Sequence, residues 1–304
     1  MVVGAGEQAL TKRYARVGEA RVAYLDVGQG PPVLLLHGCP FSSFVWRMVI
    51  DRLSARYRCV APDLLGLGDT ETPAGADWSL PAQAAAVLGL LDVLGLDEVA
   101  VVGHDQGGAI AQLLAAYHPQ RITRLVLADA EAYDNWPSAE ELPFVRATQL
   151  PVLGRLVLWA WSRRALFRWA LASGRAVHDR SALTDELVDG YIAANLSDRR
   201  RRAKTRRYLG LQLDPANQRT TARVVDGLKR FDRPTLIVWG AEDVHFGPRW
   251  ADRLYRDIPG AQRLEVLPGV GHLLMEERPA QLAELLDGFL SDAAPPGGSG
   301  DGRR

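Results

Sequence analysis

The chain has 304 residues, nearly half of them apolar, with 36 acidic side chains balanced by 36 basic ones. That balance excludes a global field able to draw in DNA, RNA or an anionic membrane, and a small neutral apolar substrate is the expected partner. Two cysteines, Cys39 and Cys59, exclude a disulfide scaffold and give no metal-ligand spacing, which leaves a reducing cytoplasm as the expected compartment.

The opening residues, MVVGAGEQALTKR, lack a long apolar run, so no signal peptide is expected. Short runs rich in β-branched and apolar residues then read as strands: RVAYLDVG, PVLLLHG, RCVAPDL, EVAVVGH and LVLADA. Helical patterns surround EVAVVGH, with SLPAQAAAVLGLLDVLG before it and GGAIAQLLAAYHP after it. In the latter, Ile110, Leu113, Leu114 and Tyr117 share one face at helical spacing. Continuous apolar strands alternating with helices predict a mostly parallel sheet covered on both faces, an α/β fold.

From Ala130 to Pro234 the pattern changes to helical, Trp- and Arg-rich sequence without strands, too long for a plain loop. Its most apolar stretch, LVLWAWS at 156–162, is too short to cross a bilayer, which takes about 20 apolar residues. Strands resume at PTLIVWG and RLEVLPG, and the helix PAQLAELLDGFL follows. The expected organisation is a core over 1–133 and 227–292, a helical cap over 134–226, and a disordered tail over 293–304 that includes PPGGSGDGRR.

One segment carries the chemistry. Gly103-His104-Asp105-Gln106-Gly107 stands at a strand-to-helix junction and has the form of a nucleophile elbow, with Asp where Ser usually stands. A carboxylate is already nucleophilic at neutral pH and displaces leaving groups from carbon without a base. Asp243, in WGAED, and His272, in GVGH, each follow a late strand, giving the chain order nucleophile, acid, histidine. Asp129, at the end of LVLADA, is the alternative acid. The backbone N–H groups of Cys39, in HGCP, and Gln106 are placed to form an oxyanion hole.

The motifs HGCPFSSFVWR, APDLLGLGDTETP, GHDQGG, WGAED and GVGHLLMEERP make the chain resemble the α/β-hydrolase branch that contains epoxide hydrolases and haloalkane dehalogenases. The resemblance covers almost the whole core and fades through the cap. It implies an α/β-hydrolase fold and a two-step reaction: Asp105 attacks carbon to form an alkyl ester, which water activated by His272 then hydrolyses. It implies no metal and no organic cofactor. Epoxide hydrolases of this branch protonate the ring oxygen from cap tyrosines, a role that falls on Tyr208, with Tyr191 and Tyr133 as fallbacks. Tyr208 lies where the branch often has its second cap tyrosine; Trp159 or Trp161 lies nearest the place of the missing first one, and both are candidates for lining the substrate site. Dehalogenases of the branch cradle halide with a Trp after the nucleophile and an Asn in HGNP. Gln106 and Cys39 replace these, so an epoxide substrate leads and an alkyl halide follows.

Plainer readings stand beside these. His37 and His104 flank the elbow and are expected to make structural backbone bonds, the basic run 199–207 reads as a solvated helix face, and Tyr208 fits a packing role as well as a catalytic one. A non-covalent or ligand-binding member of the fold is the alternative from another functional class.

Overall fold

The structure, a computed structural model, describes residues 10–292; the expected tail at 293–304 and the first nine residues lie outside them. Eight strands form one sheet: β1 Arg13–Val17, β2 Ala20–Val27, β3 Pro32–Leu36, β4 Arg58–Pro62, β5 Val99–Asp105, β6 Ile122–Ala130, β7 Thr235–Gly240 and β8 Ala261–Leu267. Their order is β1-β2-β4-β3-β5-β6-β7-β8, antiparallel at the β1–β2 and β2–β4 pairs and parallel elsewhere. This is the α/β-hydrolase fold that the sequence implied.

Seven strands coincide with the seven apolar runs. The eighth, β1, is an edge strand of sequence RYARV in which Ala15 alone is buried, so it lacks the apolar signal by which the others are read. β5 is buried at every position and lies between β3 and β6, which explains its unbroken apolar run and puts its carboxyl end at the centre of the sheet. Helix Leu80–Val93 starts at Ser79, whose hydroxyl accepts from the Ala82 N–H, and helix Gln106–Tyr117 follows β5 directly. Helices Arg47–Leu53 and Arg249–Asp257 are additional to those read from the sequence.

Between β6 and β7 the described chain is helical: Leu142–Gln149, Leu153–Trp161, Arg164–Ser173, Asp185–Asn195, Arg199–Gly210 and Pro215–Leu228. The last of these packs along Gln106–Tyr117, where Gly227 meets Ala116. Asn195, fully buried, joins the helical segment to two core loops. Its amide nitrogen donates to the carbonyls of Pro40 (2.9 Å) and Phe41 (2.8 Å), and its oxygen accepts from the Gly68 N–H at 2.9 Å. Arg201 adds an ion pair to Asp69 at 2.6 Å. Asn195 thereby fixes the loop Cys39–Phe41, whose Cys39–Pro40 bond is cis, against the helices above it.

Removing the Asn195 amide strands a buried N–H and two carbonyls at once. We predict that Asn195→Ala lowers unfolding free energy by about 2–4 kcal/mol. Urea denaturation measures this, and a change below about 0.5 kcal/mol would remove Asn195 from the account.

Candidate active site

Four strand ends meet at the site. β3 delivers the loop His37–Pro40, β5 delivers Asp105, β7 leads to Asp243, and β8 leads to His272. Asp105 is held at φ 54° and ψ −124°, a conformation that costs a non-glycine residue strain and that aims its side chain above the sheet. The turn tolerates this only because the backbone around it is bare. A Cβ on Gly103 would stand 2.4 Å from the Gly107 carbonyl, and one on Gly107 would stand 2.3 Å from the Leu36 carbonyl.

The three residues picked from the sequence come together. His272 Nδ1 donates to Asp243 Oδ2 at 3.0 Å, and Nε2 faces Asp105 Oδ2 at 3.3 Å. Asp243 Oδ1 accepts from the N–H groups of His245 (2.7 Å) and Phe246 (3.0 Å), which fixes the carboxylate. Burial opposes charge on His272, yet Asp243 and Asp105 outweigh it and hold the imidazole well above its ordinary range. Burial likewise opposes ionisation of Asp243, and the His272 charge more than offsets it, so its carboxyl lies below the usual range.

Asp129 is not the partner of His272. Its Oδ1 accepts from the Gly240 N–H at 2.9 Å, and burial followed by the Asp243 charge pushes its carboxyl well up. His37 and His104 are structural, as the plainer reading held. His37 Nδ1 donates to the Gly38 carbonyl (2.7 Å) while Nε2 accepts from the Leu64 N–H (3.0 Å). His104 bonds the His272 carbonyl at 2.9 Å and is pushed down to about 3, chiefly by burial, and stays neutral.

A cavity of about 580 Å³ opens above Asp105 and His272. Cys39 lines it, with its thiol held protonated by burial and by the neighbouring Asp105 charge. Trp161 lines it too, stacked on Phe144 at 4.3 Å and meeting Phe167 edge-on. The Gln106 N–H donates to Asp105 Oδ1, and Gln106 Nε2 is buried without an acceptor.

Two expected residues lie elsewhere. Trp159 is 48% exposed and faces away from the cavity with Arg163 over its ring, because two residues along a helix turn a side chain about 200° from Trp161. Tyr208 is buried but does not line the cavity; it stacks on Trp78, and the next residue, Leu209, faces inward instead. The fallback tyrosines are also engaged, Tyr191 donating to Glu276 Oε1 at 2.8 Å and Tyr133 to Asp257 Oδ2 at 3.0 Å.

Among the polar residues of the cavity wall that sequence reading passed over are Glu141, Gln212 and His245. Glu141 Oε2 accepts from Ser138 Oγ at 3.1 Å, and its Oε1 lies 4.0 Å from His245 Nδ1. Burial first, and the Asp105 charge second, push Glu141 up to about 7. The Ser138-x-x-Glu141 spacing at the start of helix Leu142–Gln149 was the one available signal, and it reads as an ordinary capping box. Gln212 Oε1 has no partner.

If Asp243 carries the imidazole, Asp243→Asn lowers the titration midpoint of His272, followed by NMR of its ring, by more than Asp129→Asn does. The reverse order would make Asp129 the partner.

The family model described as the alpha/beta hydrolase fold matches residues 31–279. Haloalkane dehalogenase 2 of Mycobacterium tuberculosis (strain ATCC 25618 / H37Rv) is 32% identical over 274 residues, covering 89% of this chain and 92% of the relative. Among solved structures, haloalkane dehalogenase DbeA from Bradyrhizobium elkani USDA94 superposes with a TM-score of 0.77 at 23% identity, covering 93% of this chain and 99% of that one. Epoxide hydrolase CorEH also gives 0.77 at 23% identity, covering 92% and 98%, and at these identities both likenesses speak for the fold. The chain is therefore a member of the α/β-hydrolase family, related in sequence to a haloalkane dehalogenase.

Proposed function

We propose that the protein hydrolyses an epoxide to a vicinal diol through a covalent ester on Asp105. The observation that carries this is the line Asp105–His272–Asp243, with contacts of 3.3 and 3.0 Å, beneath an aromatic-walled cavity. It supplies a carboxylate for carbon and a base for water, the two agents such a cycle needs.

An epoxide differs from a halide in needing a proton for its leaving oxygen. Glu141 is the acid on the cavity wall held near neutrality, and in this reading it takes the part first expected of Tyr208. In the first step an Asp105 oxygen bonds to the ring carbon, the ring C–O bond breaks, and the alkoxide takes the Glu141 proton. In the second, water adds to the ester carbonyl while His272 accepts its proton. The acyl C–O bond then breaks, the new alcohol oxygen takes the proton of the added hydroxyl, and Asp105 returns as a carboxylate. Once Asp105 is esterified, the proton that His272 holds at rest passes to the Glu141 carboxylate, and the proton taken from water returns His272 to its resting form; His245 stands between the two, its ring centre 5.4 Å from that of His272.

The order of events follows from one charge. The Asp105 carboxylate raises both Glu141 and His272. Esterification removes that charge, so Glu141 becomes a stronger acid as the alkoxide forms, and His272 becomes free to accept a proton from water.

A second reading, haloalkane dehalogenation by the same ester route, is favoured by the 32% identical relative and by Gln106 Nε2, a buried donor with no acceptor. Bromide release from bromoalkanes as fast as epoxide opening would favour it.

Glu141 donates only while protonated, so kcat/KM for epoxides should fall as pH rises through about 7. Glu141→Gln should lower epoxide turnover by about 10²–10⁴ and abolish that alkaline fall. Retention of the fall in the variant would remove Glu141 from the proton path.

A further inference from the structure

The balanced charge of the whole chain conceals a local excess. Residues 142–178 carry six arginines and no aspartate or glutamate, leaving the rest of the chain six charges negative. Arg164 and Arg168 pair with Asp189 and Asp185 of the next helix. Arg146, Arg155, Arg163 and Arg175 are exposed and have no carboxylate partner among the described residues.

The same segment holds Leu150, Val152, Leu153, Leu156, Trp159, Leu166 and Trp169, which are 44–70% exposed and make up more than half of the exposed large apolar residues described. They are ordered by helix geometry. Val152, Leu153, Leu156 and Trp159 fall within about 120° on one face of helix Leu153–Trp161, with Arg155 at its margin. Leu166, Trp169 and Ser173 share a face of the adjoining helix Arg164–Ser173. Trp169, Ser173 and Arg175 also line the cavity, so its rim lies at the edge of this apolar surface.

An apolar face of this extent marks an interaction surface. A second copy of the chain fits it poorly, because a two-fold contact sets a patch against itself and would bring unpaired arginines together. An anionic lipid surface fits both features. Leucines and tryptophans enter the boundary between headgroups and acyl chains while arginines meet lipid phosphates. No helix among the described residues is long and apolar enough to cross a membrane, so the contact is with the surface.

We propose that helices Leu153–Trp161 and Arg164–Ser173 dock this protein onto an anionic phospholipid surface, with the cavity rim facing the bilayer that supplies its apolar substrate. This departs from the expectation of no membrane partner, which rested on the balanced net charge and on the shortness of the apolar stretch at 156–162. It stands independently of which bond the site cleaves.

The full chain is mixed with vesicles of phosphatidylcholine alone or of phosphatidylcholine with phosphatidylserine, and bound protein is measured by sedimentation. The expected result is binding to the anionic vesicles, weakening with salt, with a blue shift of tryptophan fluorescence. Arg155→Glu with Arg163→Glu should reduce partitioning by at least about tenfold. Leu156→Ser with Trp159→Ser should also reduce it, and these exposed positions leave the melting temperature in place. Absence of binding, equal binding to neutral vesicles, or a dimer in solution that is broken by the Leu156/Trp159 pair would overturn the proposal.

Discussion

The negative charge on Asp105 is the constraint around which the rest of the site is arranged. It sits at the buried carboxyl end of the central strand β5, where an uncompensated carboxylate is expensive. Compensation comes from the Gln106 N–H at the start of the following helix and from the His272 imidazole. Holding His272 charged in a buried place requires a second carboxylate, which Asp243 provides, and two loop N–H groups hold Asp243 in turn. Two further acids near this charge, Asp129 and Glu131, are pushed up by burial and by neighbouring carboxylates, which disfavours further negative charge there.

This arrangement depends on backbone placement more than on packing. Asp105 keeps its positive φ because three strand ends crowd the turn, and Gly38 is bare where a Cβ would lie 2.3 Å from the Asp105 side chain. The strain and the charge have one outlet in the proposed cycle, the ester, which neutralises Asp105 and releases the proton on His272. The helical segment contributes the other half. It brings Glu141 and Trp161 to the cavity, and Asn195 fixes it to the loop that carries Cys39.

Much of this was legible in the sequence because it is local. β5 and its elbow are written in eight consecutive residues, and Asp243 and His272 each follow an apolar run by a few positions. β1 was missed because an edge strand with one buried residue has little apolar pattern to show. In the helical segment between β6 and β7, legibility stopped at composition. Trp159 and Trp161 differ by about 200° of helix rotation, as do residues two apart in any helix, and which one faces inward depends on Phe144 and Phe167. Tyr208 is displaced by the same ambiguity, turning to Trp78 while Leu209 takes the cavity side. Glu141 was hidden differently: its spacing from Ser138 is that of a helix cap, and its acid chemistry comes from burial first and the nearness of Asp105 second, neither of which is local in sequence. Net charge is coarse in its own way, since an average of zero does not reveal a stretch with six arginines and no acid.

The central claim is that Asp105 becomes an ester. The most direct measurement is the intact mass of His272→Ala after exposure to an epoxide that the unaltered protein consumes, followed by peptide mapping. The account predicts an added mass equal to the whole epoxide, carried on Asp105, because the first step survives while the base for the second is gone. Consumption of the epoxide by the unaltered protein with no adduct on the variant, or an adduct on any other residue, would contradict it.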